Sequence, residues 1–254
     1  MINGQLLKVQ RAKMVGDPTI LYVIFIQPFI FALLFGFLHQ TSGSDGERMF
    51  TVFIGVGQMT MWQVLLYAGG IIVRHEFNRE RTIFYSLLSK TNVYWIWAKR
   101  LFFCLLLASP GLIISILVGV LLFGASIPMR EVTFIFIGVL LFLLTLYSIG
   151  LPIILLLFLT TQGGKIIQTI TYPIFLLSGM IVSVDYFPAI IRGIAYLFPI
   201  TWSIHWLQNV ILFNEVNWFA FIQTIVISIF YLVMSRFLYV FIMGKIKLRG
   251  EINL

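Results

Sequence analysis

Polar residues come in short clusters along this chain, and the stretches between them are apolar for about the thickness of a bilayer. A helix needs roughly 20 apolar residues to cross the hydrocarbon core. By that measure six runs qualify: Thr19 to Leu38, Phe50 to Val73, Leu101 to Gly124, Val132 to Thr160, Ile166 to Val184 and Trp218 to Met243. Lipid offers no partner to free backbone N–H and C=O groups, so each run is predicted to be helical. The expected fold class is an all-α membrane protein with a single domain over residues 1–254. Pro28, Pro110, Pro152 and Pro173 fall inside runs, where each removes a backbone hydrogen bond and invites a kink. The fourth run is longer than a bilayer requires, and Gly150-Leu151-Pro152 is where it is expected to bend or tilt.

One stretch fits neither class. Asp185 to Glu215 reads DYFPAIIRGIAYLFPITWSIHWLQNVILFNE, too apolar for a solvated loop and too interrupted for an ordinary span. The distribution of cations constrains it. Of the 17 Lys and Arg, Arg48, Arg130 and Arg192 lie on one side of the predicted topology, Arg236 lies near the end of the sixth run, and all the others lie on the opposite side. By the positive-inside rule both termini are then cytoplasmic. A full crossing by residues 189–210 would invert the last span and put KIKLRGE outside, against that bias. The segment over 185–215 is therefore expected to enter the outer leaflet and return as two short re-entrant helices, opened by Pro188 and Pro199. A surface-lying amphipathic loop is the alternative.

Composition names the solvent. Sixty per cent of residues are hydrophobic and 10% are charged, against about a quarter charged in a soluble domain. Lipid must cover part of this surface. The net charge of +8 is spread over short connections rather than gathered on one face, so nucleic acid is not an expected partner. Cys104 is the single cysteine, set in LFFCLLLA, which excludes an intrachain disulfide or a cysteine metal cluster. At the start, Lys8, Arg11 and Lys13 precede an apolar run with no small-residue cleavage site, which reads as a retained first span. INGQLLKVQRAKM fits an amphipathic helix on the inner leaflet, with Ile2, Leu6 and Val9 on one side, or else a disordered tail.

Intramembrane enzymes and proton-coupled carriers keep ionisable groups at depth despite the cost. Every Asp and Glu here falls in a loop or at a span end, and none of His39, His75 and His205 is at mid-depth. There is no HExxH and no GxSxG. Thr161-Gln162-Gly163-Gly164-Lys165 faintly resembles a phosphate loop, but Leu159 stands where the first glycine belongs and Ile166 where Ser or Thr must follow. No catalytic, cofactor-binding or metal-binding residue is predicted, and the chain is not expected to be an enzyme. The longest inner connection, residues 74–100, opens with alternating charges at Arg74, Glu76, Arg79, Glu80 and Arg81. An apolar helical face at Ile83, Phe84, Leu87 and Leu88 follows. Such a helix can dock into a partner's groove or rest on lipid headgroups.

Taken along nearly its whole length, the chain resembles a permease subunit of the ATP-binding-cassette type-2 exporter family. The most specific part is SGMIVSVDYFPAIIRGIAYLFPITWSIHWLQNVI, with Gly179 in the fifth span, Phe187-Pro188, then Pro199-Ile200-Thr201. The resemblance implies that the loop after span two carries a coupling helix against an ATPase subunit. The matching part is Glu80-Arg81-Thr82-Ile83, Leu87-Leu88 and Ser89-Lys90-Thr91; Arg81 replaces a common glycine and Asn92 a frequent proline. It also implies a pair of permease subunits, identical or not, with two separate ATPases that hold ATP and Mg while this chain holds no cofactor. The implied setting is a cell membrane, on this reading a bacterial plasma membrane.

The implied mechanism is alternating access or lateral extrusion, driven through the 74–100 segment. Gln27, Gln58, Thr60 and Gln63 are the candidate path-lining groups, because each needs a partner other than lipid. Plain hydrogen bonding between helices is the competing role for any one of them. The aromatic, charge-poor interior favours a hydrophobic or amphipathic cargo such as a drug, a peptide antibiotic or bacteriocin, or a lipid-linked molecule. A passive channel or a non-transporting assembly protein is the alternative.

Overall fold

The structure is a computed structural model that describes residues 16–41, 46–78, 93–158, 163–180 and 183–249. The described chain is helical throughout apart from turns and short connections. In chain order the helices are α1 (Pro18–Gln40), α2 (Gly46–Asn78), α3 (Val93–Phe123), α4 (Val132–Phe158), α5 (Gly163–Leu177), α6 (Ala189–Ala195), α7 (Pro199–Phe213) and α8 (Trp218–Arg249). Five of them, α1 to α4 and α8, are long and apolar enough to cross a membrane.

Prolines shape these helices locally. Pro28 has no N–H to give to the carbonyl of Ile24, and just before it α1 widens into a π-helical stretch at Tyr22–Ile26. Gly111 of α3 comes up against that site: a Cβ there would stand 3.3 Å from the Ile24 oxygen and 2.6 Å from Thr60 Cγ2. In α3, Pro110 leaves the Leu106 carbonyl without its usual donor, and the Ser109 hydroxyl donates to it at 2.7 Å. The expected bend at Gly150-Leu151-Pro152 does not break α4, which runs through Pro152 as one helix.

Helix ends depart from the apolar runs in two ways. α2 begins at Gly46 and continues to Asn78, and α3 begins at Val93, well before Leu101. Hydropathy marks where lipid-loving residues begin, not where the backbone becomes helical. Glu47 favours the positive N-terminal end of α2, and Tyr94, Trp95 and Trp97 carry α3 across an interfacial depth. The run Ile166 to Val184 is cut short. α5 ends at Leu177, giving a length of about 22 Å against ~30 Å of hydrocarbon. At its end the Ser178 hydroxyl donates to the Phe175 carbonyl at 3.2 Å, and Gly179 takes the left-handed conformation with φ +84°. Both are chain-stopping devices.

α2 is the hub. It packs against α1, α3, α4, α5 and α7, and 89% of its spanning window is buried. Its Trp62 and Leu65 join Leu101, Phe142 and Leu146 in one core cluster. Its Phe53 and Ile54 join Trp206, Leu207 and Val210 in a second. α8 is the opposite case at 17% buried. It packs on α4 and α7 and leaves Ile222, Val226, Ile229, Phe230, Val233 and Phe237 exposed. A stripe that long and that apolar suits hydrocarbon. Residues 1–15, with the expected inner-leaflet helix, lie outside the described residues.

Candidate functional site

The four candidate path-lining residues are all buried within one chain. Gln27 of α1 donates its Nε2 hydrogen to Oε1 of Gln63 on α2, so these two satisfy each other across the α1–α2 contact. Thr60 closes on its own helix, donating to the Val56 carbonyl at 3.1 Å, and its methyl fills the notch at Gly111. Gln58 differs. Its Nε2 group is buried, with the residue 2% exposed, and has no acceptor among the described residues. One turn on, the indole N–H of Trp62 is also unpaired at 0% exposure. Positions i and i+4 share a face, so α2 carries two unsatisfied donors side by side. Each buried unpaired donor costs about 1–3 kcal/mol. Trp206 of α7 has a second unpaired indole N–H, and its ring packs on Gly138 of α4.

The Gln27–Gln63 pair gives a direct test. Gln63→Leu leaves the Gln27 amide buried and unpaired, with an expected loss of about 1–2 kcal/mol in apparent stability. The double change to leucine at both positions is expected to cost less than Gln63→Leu alone. Thermal unfolding of the purified single and double variants measures this. A double variant less stable than either single would show that the two amides do not act as a pair.

The segment 185–215 folds as two helices around its prolines. Pro188 is the N-cap residue of α6 and Pro199 the first residue of α7, where fixed φ is no handicap. Arg192 folds back on its own loop: its Nη2 donates to the carbonyls of Asp185 at 2.7 Å and Phe187 at 3.2 Å. Ile190, Ile194 and Leu197 are left exposed. Thr201 is buried and donates to the Ala195 carbonyl at 2.8 Å, clamping α7 to the end of α6. Trp202 Nε1 donates to the Tyr196 carbonyl at 2.8 Å, and the two rings pack at a tilt of 34° with centroids 4.7 Å apart. Burial, with the Asp185 charge adding and Arg192 opposing, raises the Tyr196 hydroxyl above its ordinary value, so this ring stays neutral at physiological pH.

α7 is deeply packed, with Ile200, Ser203, Ile204, Trp206, Leu207, Val210 and Ile211 all buried against α4, α8 and α2. Polar backbone is tolerated at depth when protein covers it. Gln208 reaches back to the turn after α5, donating from Nε2 to the Gly179 carbonyl at 3.2 Å. Sequence reasoning chose Gly179 and passed over Gln208, though a lone amide in an apolar helix is itself a signal of a needed partner.

Of the coupling candidates, Glu76 lies in the last turns of α2. Arg79, Glu80, Arg81, Thr82, Ile83, Leu87 and Leu88 lie outside the described residues.

No curated protein matches this chain. The family model for ABC-2 type transporters matches residues 3–212, well over half of its length and inclusive of α1 to α7 up to its last residue. An all-helical chain, at least five apolar helices of spanning length and that match agree. The chain belongs to the ABC-2 type transporter family, as a membrane permease subunit.

Proposed function

We propose that this chain forms the translocation path of an ATP-driven exporter for a hydrophobic or amphipathic cargo, such as a drug, a peptide antibiotic or a lipid-linked molecule. A separate ATPase subunit supplies the energy and carries ATP and Mg. Two permease subunits, identical or paired, form the path between them. Six spans are proposed, α5 serving as a short fifth, with both termini cytoplasmic in a cell membrane and α6–α7 re-entering from outside. The family match carries the permease part of this reading. The cargo class is supported by the chemistry around Gln58, where two unsatisfied donors lie one turn apart on α2, with the buried Ile54 and Met61 at helical spacing on the same side. A few polar groups in an adaptable apolar wall suit amphiphiles. Thr60, Gln27 and Gln63 are satisfied within the chain and fit a role in helix packing better.

ATP hydrolysis by the purified complex, titrated with a panel of amphipathic compounds, tests the cargo class. Stimulation that Gln58→Leu abolishes supports it. Robust hydrolysis indifferent to every amphiphile would contradict it. The topology has its own test in a Cys104→Ala background. Ser44→Cys and Arg192→Cys are expected to react with an impermeant maleimide from outside, and Ser89→Cys and Leu254→Cys only after permeabilisation. Labelling of Leu254→Cys from outside would overturn the six-span arrangement.

A further inference from the structure

We propose that Arg236, seated on the rings of Tyr94 and Tyr239, binds the phosphate of an anionic phospholipid at the membrane face where α8 passes the start of α3. Arg236 is exposed on the bare side of α8, between Val233 (49% exposed), Phe237 (72%) and Val240 (58%). Those neighbours face lipid, so the arginine does too. Its depth is that of an interface. From Trp218, the first residue of α8, to Arg236 is about 27 Å along the axis, nearly a full hydrocarbon thickness of ~30 Å.

The guanidinium is held in a fixed place. Its carbon lies 5.0 Å from the centre of the Tyr94 ring and 5.6 Å from that of Tyr239. The two rings are themselves 5.4 Å apart, and Trp97 meets Tyr239 edge-on at 6.4 Å. Tyr94 is anchored in turn, its hydroxyl 2.9 Å from Ser235 Oγ. The ring contacts are not conventional hydrogen bonds and leave the guanidinium N–H fork for a bidentate anion. Among the described residues no acceptor receives that fork. Of the carboxylates at this end of the helices, Asp17 caps the Thr19 N–H at 2.9 Å. Arg192, by contrast, spends its Nη2 on two carbonyls of its own loop.

A phospholipid completes the site in both halves. Its phosphate takes the fork, and its acyl chains, running toward the membrane centre, cover Val233, Phe230 and Ile229. An anionic headgroup is favoured because a zwitterionic one brings its own cation to the phosphate. Trp95, 59% exposed and 5.8 Å from Tyr94, adds an interfacial indole beside it. α3 and α8 meet here through these side chains rather than through close backbone packing. The lipid therefore sits at a joint that directly follows residues 79–92. This placement does not depend on the transporter reading.

Native mass spectrometry of the full chain, with whatever subunits accompany it, tests the site by titration with phosphatidylglycerol and with phosphatidylcholine of the same acyl chains. Wild type is expected to bind phosphatidylglycerol about fivefold more tightly than Arg236→Gln, with Arg236→Lys in between and phosphatidylcholine affinity unaffected. Equal phosphatidylglycerol affinity in wild type and a folded Arg236→Gln would overturn the proposal. So would equal affinity for the two lipids, or displacement of the lipid by inorganic phosphate alone, which would mark a free-anion site. Should Arg236→Gln not fold, Tyr239→Leu removes half of the platform and keeps the charge. It is expected to weaken phosphatidylglycerol binding, and unchanged affinity would overturn the site equally well.

Discussion

Valine at position 57 is expected to destabilise the membrane domain by about 3 kcal/mol, the upper end of overpacking effects, or to stop it accumulating. A Cβ on Gly57 would stand 2.7 Å from Leu112 Cα and 2.7 Å from Ser115 Oγ. The first of these is backbone, so no rotamer change relieves it. α2 and α3 must separate, and theirs is the most extensive helix contact in the described chain. Separation also loosens Thr60 from Gly111 and the neighbouring Gln27–Gln63 pair. Gly193→Ala is the control, because nothing lies within 4 Å of a Cβ there, and its effect is expected within about 0.5 kcal/mol. Apparent melting temperatures of the two variants in one detergent decide the matter. Equal melting would mean that α2 and α3 are not packed this closely.

Asp at both Leu87 and Leu88 is expected to detach the ATPase while leaving the membrane domain folded. A docked leucine anchor is worth about 2 kcal/mol or more, and a carboxylate forced into the same apolar groove adds a desolvation penalty. Together these predict a loss of affinity of at least about 100-fold. A face that docks a separate subunit does not have to hold the membrane helices together, so the melting temperature should stay close to wild type. Pull-down stoichiometry and melting are read on the same sample. An ATPase retained at full stoichiometry would move the coupling surface elsewhere, with Glu76 at the end of α2 the next residue to test.

Much of the architecture was legible because lipid enforces simple rules. Five apolar runs became helices of spanning length, and Pro188 and Pro199 opened helices as proline's fixed φ suggests. Helix ends were less legible. Hydropathy cannot see that Val93 to Arg100 continues α3, since Lys99 and Arg100 lower the average without breaking the helix. It also could not see the stop at Ser178 and Gly179, where a side-chain hydrogen bond and one positive φ matter more than seven further apolar or small residues. The polar candidates split on a detail that no single sequence carries. Gln27 and Gln63 sit on different helices, so their pairing depends on the relative rotation of α1 and α2. Gln58, five residues from Gln63 on the same helix, is turned away from that partner. Arg236 read as a cation near a helix end, and only the fold brings Tyr94 to it across more than half the chain.

The most direct test of the central claim is mass spectrometry of the tagged chain, purified gently from its own membrane. An ATP-energised permease predicts an ATPase subunit in one-to-one ratio with permease chains, and the same spectrum identifies the second permease as this chain or another. A folded preparation, intact by melting and gel filtration, that carries no ATPase would contradict the account and favour a passive channel or an assembly protein.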